Sequence, residues 1–380
     1  MQHEPEFNPS SHATQAGKPA RKLYLPESVL DAAVKRVRWT FDTFTEVSVS
    51  VSGGKDSTVL AHLAQQEAAR RGRDLHMLFL DQEAEYAHSI RIVEGLMTLP
   101  HVVPHWYQVP VRMTNATSYG AQYLHAWDPA WEGEYVQPRH PLAIQATPTP
   151  TPDRFYPFLD WWEETRGAGA GLLIGLRSEE SLNRYASVTR HPGVPGVPWT
   201  SRGLGGSTKI YPLYDWAFED IWTYLGKYGV PYNRVYDWMW VKGFNISEMR
   251  VSNLIHERAF KSLATLQEFE PDTYRRLIER VPGARTAALY AKERQVYSAG
   301  KLPSAYRSWL EYREFLLDTL PLPADQVQVF RDRFAAQAAT EPTHRQQVRQ
   351  LLLGDVENNI PVKAPAPTTT DPREKWRALL

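Results

Sequence analysis

"VSVSVSGGKDSTVLAHLA", residues 47–64, changes its period half-way along. Val47, Val49 and Val51 alternate with serines, the two-residue repeat of a strand, whereas Val59, Leu60 and Leu63 recur at helical spacing. Ser52-Gly53-Gly54-Lys55-Asp56-Ser57 is therefore a strand-to-helix loop. The backbone N–H groups of such a loop and the positive end of the following helix converge on one point, which suits an anion. Gly53 and Gly54 permit backbone angles and a close approach that a Cβ would block, Lys55 adds a charge, and Ser57 adds a hydroxyl donor. The spacing is that of neither GxxxxGK[ST] nor GxGxxG. A plain serine-glycine turn with a solvated Lys55 is the competing reading.

Working outward, "PESVLDAAVKRVRWTFDTF" (26–44) has helical spacing, "LHMLFLD" (75–81) reads as a strand, "HSIRIVEGLMTL" (88–99) as a helix and "HVVPHWYQVPV" (101–111) as a strand. This alternation predicts an α/β fold, a parallel sheet with helices on both faces. Residues 112–153 are crowded with prolines and read as a long excursion over the sheet edge. "RFYPFLDWWEET" places Phe155, Phe158, Leu159 and Trp162 on one helical face, and "GLLIGL" (171–176) supplies another buried strand. "DWAFEDIWTYLGKYG" and "DTYRRLIERVPG" are amphipathic helices, and from about 236 onward the pattern is helical without strands. The expected organisation is a disordered arm (1–25), a nucleotide-binding α/β domain (26–235), a helical C-terminal domain (236–355) and a Pro/Thr-rich tail (356–380).

Forty-three Lys plus Arg balance 43 Asp plus Glu, so the net charge gives no field toward nucleic acid or a membrane surface. Thirteen Trp and 19 Tyr imply large packed cores first and a stacking surface second. The chain has no cysteine, which excludes disulfides, thiolate nucleophiles, cysteine-ligated zinc and iron–sulfur clusters. The longest glycine-apolar run, "GAGAGLLIGL" (167–176), is half of the roughly 20 residues a spanning helix needs, and the expectation is a cytoplasmic protein without a membrane partner. The histidines are scattered without ligand spacing.

Past the loop, "GLLIGLRSEESLNR" sets Gly175, Arg177, Glu180, Ser181 and Arg184 at a strand end and helix start. Arg177 and Arg184 could present two guanidiniums to a phosphate or sulfate, with Glu180 between them as ion-pair partner or acceptor contact. Arg190, Arg202 and Lys209 could enlarge this patch, or be solvated loop charges. Asp81, at the end of the second strand, could accept a ribose hydroxyl or cap the next helix.

The 52–57 hexapeptide resembles the pyrophosphate loop of the ATP pyrophosphatase (PP-loop) superfamily, of the adenine-nucleotide alpha hydrolase type. There the loop cradles the β and γ phosphates while an acceptor attacks the α phosphorus. "GLLIGLRSEESLNR" and "KIYPLYDWAFEDIWTYL" (209–225) resemble the phosphoadenosine phosphosulfate reductase family and the ATP sulfurylase small subunit. The continuation "YGVPYNRVYDWMWVKGFNISEMRVSNLIHERAFKS", from Tyr228 onward, is similar to a poorly characterised branch that includes the immunoglobulin-binding regulator A proteins and phage homologues. The resemblance spans about 45–290. It implies ATP or a related adenine nucleotide held by Ser52, Gly53, Gly54, Lys55, Asp56, Ser57, Asp81 and Gly175. It further implies catalytic roles for Lys55, Asp56, Arg177 and Arg184, acceptor contacts from Arg177, Glu180, Arg184, Arg190 and Lys209, and Mg²⁺ on the phosphates with Asp56 as its protein ligand. Family members often carry Asp-Thr-Gly where this chain has Asp81-Gln82-Glu83.

Reduction of the sulfonucleotide in that family runs through a cysteine thiolate, and this chain has none. What fits without a thiol is adenylyl transfer from ATP to an oxyanion, sulfate or similar, with release of pyrophosphate; sulfate is the acceptor the resemblance to the sulfurylase subunit implies, and a carbonyl oxygen of a base or another small metabolite is equally compatible with the residues. Two other classes stay open. One is a nucleotide-binding regulatory module acting with a ParB-like partner. The other is a component of nucleic-acid modification that stacks bases on Trp106, Tyr107, Tyr119, Tyr123, Trp127 and Trp131.

Overall fold

β1 (Glu46–Ser50) lies at the centre of a six-stranded sheet, flanked in parallel by β2 (Leu75–Leu80) and, on its other side, by the later strand β6 (Ala170–Ile174). The computed structural model describes residues 25–118, 121–189, 193–246, 248–251, 253–256, 259–290, 302–320, 322–356 and 358. The expected arm lies almost wholly outside the described residues, as do most of the tail, Tyr119 and Arg190. β3 (Val102–Tyr107) adds to β2 in parallel, and β8 (Thr208–Ile210) adds to β6; β7 (Thr200–Arg202) closes that edge antiparallel. The order β3-β2-β1-β6-β8-β7 reverses direction at β1, so a crevice opens between the C-terminal ends of β1 and β6.

The valines of β1 are buried, as their alternation predicts, but Ser48 is buried too. A central parallel strand is covered on both faces, so the serines are small fillers here and not a solvent face. α1 (Val29–Thr43) starts at Ser28, whose hydroxyl accepts the Asp31 N–H at 3.1 Å, and packs Ala33, Val37 and Phe41 into the main core. α2 (Lys55–Arg71) and α3 (Ala87–Met97) follow β1 and β2 as crossover helices, and α4 (Phe155–Arg166) precedes β6. The proline-rich excursion contains a two-stranded antiparallel ribbon, β4 (Val111–Thr114) with β5 (Tyr123–Ala126). The sequence does not announce it, because the four-residue strands are short and the residues around them are turn formers.

After β6 come α5 (Leu182–Thr189) and, beyond the β7–β8 edge, α6 (Phe218–Tyr228). The described residues from 236 onward form helices without strands: α7 (Val235–Val241), α8 (Phe260–Phe269), α9 (Pro271–Arg280), α10 (Ala284–Tyr290), α11 (Trp309–Thr319), α12 (Ala324–Ala335) and α13 (Glu341–Leu352). The second core joins Tyr86, Val111, Leu124 and Trp127 to Met239, Leu263, Leu277 and Ala287, so the ribbon and helices α7 to α10 are one packed unit. A separate cluster (Leu317, Phe330, Val348, Leu351) holds α11 to α13 together.

Two buried polar contacts fix the helical unit to the loops above the sheet. Glu270, between α8 and α9, accepts the Ala87 and His88 N–H groups at 2.8 and 3.1 Å and so caps the start of α3. Arg280 pairs with Glu83 at 2.9 Å, both side chains being almost fully buried. No helix among the described residues is long and apolar enough to cross a membrane.

Candidate functional site

The Ser52–Ser57 loop sits at the crevice between β1 and β6. Gly53 adopts φ +66°, and a Cβ there would lie 2.8 Å from the Ser89 carbonyl, so only glycine fits. Asn233 donates to the Gly53 carbonyl at 3.1 Å and to Ser89 Oγ at 2.9 Å, tying the loop to the chain just before α7. Gly54 is the N-cap of α2 and supplies no side-chain cap. Gly175, after β6, packs against α2, where a Cβ would meet Ser57 Cα at 2.9 Å. Its role is to let β6 approach the loop.

The charged residues of the site converge on Asp56. Lys55 Nζ lies 2.9 Å from Asp56 Oδ2, and Arg177 Nε donates to Oδ1 of the same carboxylate. Burial pushes the Asp56 carboxyl up, but Lys55 and Arg177 outweigh it and hold it below the ordinary carboxylate value. Lys55 Nζ also faces the rings of Tyr236 at 5.2 Å and Phe218 at 5.4 Å. The Tyr236 hydroxyl accepts the Lys55 backbone N–H at 3.3 Å. Ser57 donates its hydroxyl to the Gly54 carbonyl at 3.0 Å and accepts from the Ser52 N–H at 3.2 Å, which shapes the loop from within.

A cavity of about 610 Å³ opens on Lys55 and Arg177. One side is formed by Glu179 and Glu180 in the 3-10 turn after β6 (Ser178–Glu180), together with Phe218 and Glu219 at the start of α6. The other is formed by the segment from Trp240 to Arg250, and Arg250 closes the two together by donating to the Glu180 carbonyl at 3.1 Å.

Several expected site residues stand elsewhere. Arg184, in the first turn of α5, pairs with Glu180 at 3.0 Å and does not line the cavity, so one guanidinium reaches it from this segment where two were expected. Lys209 pairs with Glu163 of α4 at 2.8 Å, away from the loop. Arg202 is exposed at the β7 edge. Asp81 is fully buried; its carboxylate accepts from Trp106 Nε1 (3.1 Å), Gln108 Nε2 (2.9 Å) and the Glu83 N–H (2.9 Å), so it organises its own loop and presents nothing to a ribose. Burial raises its carboxyl to about 6. Asp56, the expected protein ligand of a phosphate-borne Mg²⁺, faces a cation with each of its oxygens, Lys55 at one and Arg177 at the other. Trp106, Tyr107 and Trp127 are buried in the cores, which removes half of the proposed stacking surface.

The sequence reading overlooked Asn233, Tyr236 and the Trp240–Arg250 wall. "YNRVYDWMW" carries them, but its aromatics look like core until α7 is seen to turn toward the loop.

A mostly parallel sheet with a strand–SGGKDS–helix loop at its switch point and a helical C-terminal region defines the class: an α/β protein of the PP-loop, nucleotide-using kind. The phosphoadenosine phosphosulfate reductase domain matches residues 165–263, and a domain of unknown function (DUF3440) matches 243–339, about 50 residues past the limit the sequence resemblance suggests. The uncharacterized protein YbdN of Escherichia coli (strain K12) is 32% identical over 317 residues, covering 79% of this chain and 77% of YbdN. The adenosine 5'-phosphosulfate reductase of Oceanobacillus iheyensis is 19% identical over 221 residues, 57% of this chain and 77% of the reductase. Among solved structures, the phosphoadenylyl-sulfate reductase of Candida auris aligns with a TM-score of 0.33 and 15% identity, over 55% of this chain and 84% of that one. The chain belongs to the phosphoadenosine phosphosulfate reductase-like PP-loop family.

Proposed function

We propose that the protein transfers the adenylyl group of ATP to an oxygen acceptor and releases pyrophosphate. The observation that carries this reading is the pair of cations, Lys55 and Arg177, gathered on one carboxylate at the mouth of the glycine loop in a chain that has no cysteine. The family's thiol-dependent reduction has no nucleophile here, whereas adenylyl transfer needs only positioning and charge stabilisation. The acceptor oxygen forms a bond to the α phosphorus as the bond from that phosphorus to the bridging oxygen breaks. Lys55 and the loop N–H groups stabilise the charge gathering on departing pyrophosphate. Arg177, held rigid through Asp56, faces the equatorial oxygens of the phosphorus under attack. The described residues offer no ready ligand set for Mg²⁺, and no step is assigned to it.

The test is incubation of the whole protein with α-labelled ATP, with and without acceptors, beside Lys55→Ala and Arg177→Ala. Pyrophosphate release that falls by at least 100-fold in both variants while ATP still binds to Arg177→Ala supports the reading. Tight ATP binding with no pyrophosphate release under any acceptor sinks it in favour of a nucleotide-binding regulatory module.

A further inference from the structure

With Arg184 drawn off to Glu180, the segment after β6 brings one guanidinium to the cavity, and the helical unit brings another. Arg250 lines the cavity together with Lys55 and Arg177. It lies in the chain beyond α7, 70 residues from the Glu180 carbonyl that it meets.

Two contacts fix its place. The Tyr236 hydroxyl accepts the N–H of Lys55 at 3.3 Å and also that of Val251, so the Arg250–Val251 peptide is tied through one oxygen to the first turn of α2. The Arg250 guanidinium donates from Nη2 to the Glu180 carbonyl at 3.1 Å, at the end of the 3-10 turn that opens at Arg177. Its backbone is thus held near the glycine loop and its charge near the end of β6.

That charge is uncommitted. Lys55 and Arg177 share the Asp56 carboxylate and Arg184 pairs with Glu180, whereas Arg250 makes no ion pair among the described residues. A guanidinium is a planar fork of N–H donors that can hold a phosphate through two bonds at once. Arg250 uses one donor on Glu180, and the rest of the fork remains for a ligand in the cavity. The other cavity carboxylates, Glu179 and Glu219, are exposed and form no ion pair with Arg250, so water and salt screen them.

A nucleotide polyphosphate brings several negative charges. Against them, Lys55 and Arg177 keep one net positive charge once Asp56 is counted. Drawing either cation away from Asp56 strands a buried carboxylate, which is costly. Arg250 adds a full charge without breaking a pair.

From this placement we propose that Arg250 is a phosphate-contacting residue of the site, the cation that the helical unit contributes to the phosphate chain of a bound nucleotide. The inference deepens the adenylyl-transfer reading and rests on it for the identity of that nucleotide as ATP. Loop, strand end and helical unit then close on one ligand. The competing role for Arg250 is a strap that only ties the Trp240–Arg250 wall to the turn after β6. The two roles differ in what can replace the residue. Gln keeps an N–H donor for the Glu180 carbonyl but has no charge, whereas Lys keeps the charge as a single point.

The experiment uses the full chain as wild type, Arg250→Gln and Arg250→Lys. Melting temperatures are taken without nucleotide, and calorimetry with ATP and with adenosine is run well below the lowest of them, so that affinity is read on folded protein. Pyrophosphate release from ATP is followed in parallel. The expected result is an ATP affinity that falls about 10- to 100-fold in Arg250→Gln, the size of one lost hydrogen bond to a charged group, and is partly restored in Arg250→Lys. Adenosine binding stays within twofold, and pyrophosphate release at low ATP falls in step with the affinity. Unchanged ATP affinity in Arg250→Gln overturns the inference, and so does an equal loss for adenosine or a Gln variant that binds ATP as tightly as the Lys variant. Arg250-dependent ATP binding in a protein that releases no pyrophosphate with any acceptor overturns the adenylyl-transfer reading and upholds the contact. A wild type that binds no ATP overturns both.

Discussion

The Tyr236 hydroxyl takes the backbone N–H of Lys55 at 3.3 Å, so a residue of α7 occupies a donor that the first turn of α2 would otherwise offer to an anion. It also accepts from the Val251 N–H, and burial, together with the nearby Asp56 charge, keeps the phenol protonated well above its ordinary range. The tyrosine is thus a fixed neutral group that couples the glycine loop to the Trp240–Arg250 wall.

Replacing Tyr236 with Phe leaves both buried N–H groups without their partner, at a cost of about 1–3 kcal/mol each when no water reaches them. The expected outcome is a lowered melting temperature. A phosphate oxygen can then take the vacated Lys55 N–H, so ATP raises the melting temperature by more in Tyr236→Phe than in the wild type. A smaller rise in the variant would mean that the hydroxyl donates to the nucleotide and does not compete with it.

Asp56→Asn leaves Lys55 and Arg177 in a buried site without their shared carboxylate. Removing one partner of a buried ion pair costs on the order of 3–5 kcal/mol, read from urea unfolding. The sign with pH follows from the depressed Asp56 carboxyl. Its stabilisation is present above the unfolded value of 3.8 and is lost as pH falls through the lower folded value. The wild type and Asp56→Asn therefore converge in stability at the acid end. A gap that persists undiminished at low pH would show that Asp56 acts through packing.

Arg280→Met tests the clamp between the helical unit and the sheet. Glu83, at φ +65° and fully buried, receives Arg280 Nε at 2.9 Å and the Trp127 N–H at 2.9 Å. Without the guanidinium its charge is stranded, with an expected loss of about 3–5 kcal/mol. The double variant Arg280→Met with Glu83→Gln recovers part of that loss, because no unpaired charge remains. Equal stability of the single and double variants would show that the pair contributes nothing as a pair.

How much of this was legible in the residues depends on whether the signal is local. The period change at Ser52–Ser57 and the alternation of β1, α2, β2, α3 and β3 identified the class and the loop, because strand and helix periods and glycine dihedral needs are properties of short segments. The partners of the charges were not legible. Arg184 and Lys209 look equivalent to Arg177 in a sequence, yet Glu180 and Glu163 claim them, and only the packing of α5 and α4 decides that. Asp81 likewise shows its role only when Trp106 and Gln108, about 25 residues away in sequence, are seen to donate to it. The cavity wall was the least visible part, since an exposed Trp240 and a buried Trp216 carry the same letter.

Glu85 gives the clearest pH signature. Its carboxyl is buried, and burial first, then the neighbouring Asp81 charge, raise it from 4.5 to about 8. A carboxyl whose folded value lies above its unfolded value takes up a proton on folding across the interval between them. The native state binds more protons there, so stability falls as pH rises from about 4.5 toward 8 and levels off above it. Asp81, raised to about 6, adds a smaller fall of the same sign at lower pH. Glu85→Gln removes the ionisation while keeping the shape. Urea midpoints measured at pH 5 and pH 8.5 should show little change at the lower pH and a gain on the order of a few kcal/mol at the higher. An equal effect at both values would mean that the side chain reaches solvent when it ionises and that its burial carries no electrostatic cost.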